Sequence, residues 1–202
     1  MKKLYSLLFF ALLLSCNNPN HQNTEQVSLI TSEDGIYTLD PYSSEVRWVG
    51  RELSSKSHNG TIFFTSGEFE ITDGKISNGY FIVDMTTINN LDLEGESKLN
   101  LEGHLKSDDF FSVEKYPAAI LSIENSELIE PGKWNVIGSL TIKGITHPTE
   151  FQLIRSLDGW ITNFTFDRSM YDVRFRSGTF FQNLGDKLIY DDIELSIIFN
   201  IS

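Results

Sequence analysis

The 202-residue sequence is poor in alanine, in cysteine and in positive charge, and each shortage excludes something. Only Ala11, Ala118 and Ala119 occur, which leaves little of the best helix former, while Phe, Ile, Thr, Tyr and Trp are plentiful and suit a pleated, half-buried surface. Cys16 is the only cysteine, so no disulfide can form within one chain. Sixteen Lys and Arg face 28 Asp and Glu, a formal net charge of −12, and so acidic a chain is not built to neutralise nucleic-acid phosphates. Long apolar runs are also missing: the only one, Leu4 to Leu14, is too short to cross a bilayer as a permanent helix. What remains is the composition of one globular domain with a sizeable core.

That short run has a basic start, Lys2 and Lys3, and reads as the apolar part of a signal peptide spanning 1–15. It ends in Leu13-Leu14-Ser15-Cys16, which resembles a bacterial lipobox, with the Cys16 thiol alkylated by diacylglycerol to become the mature N-terminus. An unmodified thiol is the alternative, and it leaves unexplained why the lone cysteine stands at the lipidation position. Several acyl chains on one residue, at about 0.8 kcal/mol per buried CH₂, would hold the protein on a membrane. Loss of Lys2 and Lys3 makes the remainder more acidic still, so attraction to anionic head groups would not supply the anchor. Residues 16–35 are rich in Asn, Gln, Ser, Thr and Glu and read as a lipidated cysteine followed by a tether. Asn17 and Asn18 carry no acidic sorting signal, which by analogy favours the periplasmic face of the outer membrane.

From Ile36 to Ser202 the dominant period is two. Ile193, Leu195, Ile197, Phe199 and Ile201 alternate with mostly polar neighbours, and so do Trp134, Val136, Gly138, Leu140 and Ile142; Gly79, Phe81, Val83 and Met85 form a third set. Ser66-Gly67, Asp73-Gly74, Pro131-Gly132, Lys143-Gly144 and Asp158-Gly159 supply turns between strands that pair antiparallel. The segment Gly95 to Lys106 reads as a short helical insertion with Leu101 and Leu105 on one face, and Arg168 to Leu188 as a loop or short helix. About eight strands in meander order predict an all-β chain, best closed as an antiparallel barrel because closure removes edges; a two-sheet sandwich is the competing arrangement.

Several segments together then carry a likeness. They are Tyr37-Thr-Leu-Asp40-Pro41 with Ser44-x-Val46-x-Trp48, the stretch from Gly103-His104-Leu105-Lys106-Ser107-Asp108-Asp109-Phe110-Phe111 to Lys115-Tyr116-Pro117, and Leu140-Thr141-Ile142-Lys143-Gly144. This set resembles the YceI-like family of bacterial secreted and periplasmic proteins over practically the whole of 36–202. The resemblance implies a lipocalin-like, eight-stranded antiparallel barrel whose interior holds a long isoprenoid chain, polyprenyl or quinone-type, and a binding protein rather than an enzyme. His58-Asn59-Gly60, after a Ser- and Lys-rich stretch, is similar to the lipoprotein branch.

A tube for such a ligand needs carbon-bearing side chains with few unpaired polar groups. Trp48, Phe64, Phe81, Val83, Met85, Leu105, Phe110, Phe111, Leu140, Phe166 and Phe175 are the candidates, although the same residues would equally fill a ligand-free core. Arg168, Arg174 and Arg176 cluster among Phe166, Tyr171 and Phe175 and would hold a polar head group by charge-assisted hydrogen bonds at the barrel mouth; pairing with Asp167, Asp172 and other surface acids is the plainer alternative. His58 and His104 lack the spacing of a metal site and read as capping or packing residues, and Asp108-Asp109 as a helix N-cap. No nucleophile elbow, phosphate loop or dinucleotide fingerprint is present, so the residues point to no catalysis and to no cofactor besides a bound isoprenoid lipid. A non-enzymatic interaction module with a side-chain-filled barrel is the other reading, and a homodimer is left open.

Overall fold

The computed structural model describes residues 32–202. The period-two segments become eight strands: β1 (Gly35–Arg51), β2 (Ser57–Thr72), β3 (Lys75–Asn90), β4 (Ala118–Glu130), β5 (Lys133–Ile142), β6 (Ile145–Ser156), β7 (Gly159–Asp167) and β8 (Asp192–Ile201). One helix, α1 (Gly95–Lys106), interrupts them between β3 and β4. Each strand pairs antiparallel with the next, and β8 returns to β1, with Val46 opposite Ile197 and Trp48 opposite Leu195. The sheet is therefore a closed barrel and not a sandwich. Closure leaves no edge, and all eight strands lie within 35–201, so this part forms a self-contained folding unit. The expected signal segment, Cys16 and most of the expected tether fall outside the described residues. The barrel begins at Gly35, one residue before the expected boundary, and Asp34 already takes part by accepting hydrogen bonds from the Asp73 and Gly74 amides.

The connections sort into two kinds. At one end β2–β3, β4–β5 and β6–β7 are joined by tight turns, with Asp73 and Gly74, Gly132 and Gly159 all at positive φ. At the other end lie the 52–56 loop, the Lys143–Gly144 turn and two long insertions, 91–117 with α1 and 168–191 with two 3₁₀ turns, Arg168–Tyr171 and Gly185–Lys187. The expected turn at Ser66-Gly67 is not one. Both residues lie inside β2, where the register shifts between Phe64 and Ser66 in a bulge, and a Cβ at Gly67 would come within 2.5 Å of the Phe81 ring. Glycine stands there for close approach of an aromatic neighbour, not for chain reversal.

The interior has two parts. Beneath the tight turns, Tyr37, Phe69, Trp134, Trp160 and Phe199 pack ring on ring, with Phe69 and Trp160 centroids 4.8 Å apart and Trp134 stacked on Trp160 at 5.6 Å. The Trp134 Nε1–H donates to the Gly74 carbonyl at 2.9 Å and ties this plug to the β2–β3 turn. At the other end Trp48, Met85, Ile88, Leu140 and Ile142 line the wall, and Leu105, Phe110, Val113, Tyr171 and Val173 come in from the two insertions.

Candidate functional site

The mouth is assembled largely from the two insertions, with Arg51 and His58 at the strand ends beside them. Leu105 on the inner face of α1 is buried and Leu101 beside it is half-buried, as expected for their spacing of four. After the helix the chain turns tightly: the Ser107 hydroxyl donates to the His104 carbonyl, and the Phe111 and Val113 amides donate to the Leu105 and Lys106 carbonyls. This turn places Phe110 inward. Asp108 and Asp109 are exposed and no helix follows them; they lie in the turn that ends α1, so the expected N-cap is corrected. Across the mouth His104 packs on Phe175 at 4.3 Å and on Phe110 at 5.7 Å between ring centroids, joining the two insertions.

Below this contact lies a cavity of about 390 Å³, within the range of small-molecule sites. All eleven apolar candidates border it: Trp48, Phe64, Phe81, Val83, Met85 and Leu140 from the barrel wall, Leu105, Phe110 and Phe111 from the α1 insertion, Phe166 from β7 and Phe175 from the 168–191 insertion. The floor is formed by Phe81, Phe151, Leu153 and Phe199, directly above the aromatic plug. The sequence reading missed the contributions of β6 and β8 and, on β7, all but Phe166. Ile193, Leu195, Ile197 and Phe199 had the right alternation, but which face of a strand turns inward is set by closure.

Three residues that border the cavity each bury a polar atom without a partner, Trp48 Nε1, Thr162 Oγ1 and His104 Nε2, and none of these atoms is open to the cavity. Leaving such an atom unpaired costs about 1–3 kcal/mol, which the surrounding packing has to offset. Thr162 carried no signal in the sequence.

Of the three arginines, only Arg176 borders the cavity. The expected head-group role of Arg168 and Arg174 at the mouth is corrected by their placement. Arg168 is completely buried: its guanidinium donates to the carbonyls of Val173, Ile189 and Tyr190, lies 3.2 Å from Asp191 and sits 5.2 Å from the Phe110 ring centroid. Burial pushes its pKa below the usual guanidinium value, opposed by Asp191 and Asp167. It is the internal post of the 168–191 insertion. Arg174 is turned outward, paired with Asp172 and stacked on Phe180. Lys143, in its turn at positive φ, donates to the Asp172 carbonyl.

His58 borders the mouth beside Arg51 and Glu52, and its Nδ1 lies 2.8 Å from Asp92. Partial burial pushes the Asp92 carboxyl up, but hydrogen bonds from the Asn59 amide, His58 and Asn90 outweigh it and hold the group below the usual carboxylate range. His58 and Asp92 thus clamp the ends of β2 and β3. Among the described residues no group of three His, Cys, Asp or Glu could hold a metal.

A model of the YceI-like domain matches residues 37–201. The chain belongs to the YceI-like family. Two solved structures share the fold at low identity. Burkholderia cenocepacia BcnA is 17% identical with a TM-score of 0.64, covering 80% of this chain and 98% of its own. A polyisoprenoid binding domain from Saccharophagus degradans is 13% identical with a TM-score of 0.53, covering 81% and 95%. No curated protein sequence matches the chain. The family match spans the plug, the cavity wall and both insertions, so the lipocalin-like barrel and its mouth belong to one YceI-like unit.

Proposed function

We propose that this YceI-like protein is a membrane-anchored lipoprotein of the bacterial envelope, at the periplasmic face of the outer membrane, that binds or carries an isoprenoid-type lipid in its barrel without chemical turnover. The observation that carries this reading is the apolar cavity of about 390 Å³, bordered by apolar side chains from all eight strands. Apolar burial at about 25 cal/mol per Å² supplies affinity for the long apolar chain of a quinone or polyprenol. The polyisoprenoid-binding description of the Saccharophagus neighbour supports the same ligand class. Lipidation of Cys16 supplies the anchor in this reading.

The test is native mass spectrometry with organic extraction on residues 32–202 secreted into a bacterial periplasm. One prenyl lipid per barrel is the expected result. A barrel that arrives empty and refuses added quinones and polyprenols overturns the reading in favour of an interaction module. Leu121→Trp, which fills the bore, should abolish lipid content while leaving a folded barrel. Labelled palmitate fed to cells making the full chain should be incorporated and lost in Cys16→Ser, and labelled prenyl diphosphates should be recovered unchanged.

A further inference from the structure

Only part of the bore is hollow. On β8 the inward residues Ile193, Leu195, Ile197 and Phe199 border the cavity and Ile201 does not. On β5 Leu140 and Ile142 border it, whereas Trp134 and Val136, on the same face, are packed into the plug. Inward positions thus continue past the cavity, but beyond its floor their side chains fill the bore. Phe199 marks the change. Its ring lies 5.0 Å from Phe81, the other aromatic shared by floor and core, and 6.1 Å from both Phe69 and Trp160 in the plug.

Two measures give the length of prenyl chain that this space takes. Phe199 and Ile193 are separated by about 20 Å of strand at about 3.3 Å per residue, which is about 15 Å along the axis at the usual tilt of barrel strands. An extended isoprene unit has four main-chain bonds of about 1.5 Å and advances about 5 Å, so about three units reach from mouth to floor. By volume, five carbons at about the 30 Å³ share of a water-sized group take about 150 Å³, and a cavity of about 390 Å³ again holds about three units. Arg51, Glu52, His58 and Arg176 border the cavity only at its mouth, while the floor is carbon, so a prenyl chain enters tail first and leaves its polar head at the mouth.

We propose that Phe81 and Phe199 set a chain-length limit: the barrel encloses the terminal isoprene units of a prenyl chain, about three of them, and leaves any further units outside the mouth. Apolar affinity follows the area removed from water, so each unit adds to binding until the tail meets these two rings, and the gain then stops. Phe81 and Phe199 are the residues that determine ligand length, while Phe69, Trp134 and Trp160 beneath them hold the floor in place and touch no ligand. The inference deepens the proposed function by fixing how much of an isoprenoid the site reads, and it rests on that reading.

The experiment is titration calorimetry on residues 32–202, freed of co-purifying lipid, with water-soluble prenyl diphosphates of one to five isoprene units. The expected result is a Kd that tightens at least about tenfold per unit up to three units and changes less than about threefold beyond. Phe199→Ala, which removes a ring of the floor, should move the break to four units. Ile197→Phe, one inward position nearer the mouth, should move it to two. Ile76→Ala thins the plug without bordering the cavity and should leave the break at three. Affinity that keeps rising through five units in the wild type, a break left at three in Ile197→Phe or in a folded Phe199→Ala, or one that Ile76→Ala moves would each overturn the limit while leaving the proposed function. If Phe199→Ala does not fold, Ile197→Phe decides, because it adds volume to open space. A barrel that arrives empty and binds no member of the series removes the proposed function and the limit with it.

Discussion

The two ends of the barrel solve the same problem, how to finish a closed sheet, in opposite ways. At the tight-turn end the strands are joined as closely as backbone allows and the bore is stopped by Trp134, Trp160, Phe69 and Phe199, with Trp134 hydrogen-bonded into the β2–β3 turn. At the mouth two of the four joins are long insertions, the bore is left open, and these insertions meet over it through His104, Phe110 and Phe175. Stability is concentrated where packing is continuous, and the cavity lies where packing has been withheld. A binding site inside a barrel therefore needs a plugged end to carry the fold.

Substitutions that separate these roles should rank in that order. Trp160→Ala removes the centre of the plug and should cost about 3–5 kcal/mol in denaturant unfolding. Trp48→Ala, beside the existing cavity, should cost clearly less, and equal losses would break the distinction between the ends. Arg168→Ala leaves buried carbonyls and Asp191 without their cation and should cost about 3 kcal/mol, read as early hydrogen exchange throughout 168–191 while the plug stays protected. Uniform exchange would mean that the insertion is not a separate unit.

Phe175→Ala opens the contact between the insertions and should cost about 1 kcal/mol or less of barrel stability while speeding release of a bound fluorescent polyprenol several-fold, since Phe175 rings the mouth and not the plug. Asp92→Asn should cost about 1 kcal/mol near neutral pH. Because its folded carboxyl lies below the unfolded value, its contribution is present above that value, about 3.9, and is lost as pH falls through the lowered folded one. The stability difference between wild type and variant should therefore close on acidification, and a constant difference down to low pH would assign the effect to packing.

Alternation over 193–201 and 134–142, the Asp-Gly and Pro-Gly turns and the leucine spacing in 95–106 made strands, turns and helix readable, because each depends on neighbours a few residues away. The apolar candidates could be named but not divided between plug and bore, since Phe64 and Phe69 have the same composition and differ only in depth along the axis. Arg168 was the least legible. Its neighbours Arg174 and Arg176 are the same residue type a few positions on, yet one guanidinium is completely buried, one is turned outward and one borders the cavity. Ser66-Gly67 misled for a similar reason, because glycine serves close approach as readily as reversal.

Period-two patterning, turn chemistry and the shortage of alanine thus determined by themselves that this chain is an antiparallel β protein, and its motifs determined the family. Tertiary structure decided which parity of each strand faces inward, which aromatic residues stop the bore and which line it, and where each arginine charge is spent. Local sequence sets a backbone's preferred conformation through short-range sterics and hydrogen bonding, whereas inside and outside exist only once β8 has closed on β1.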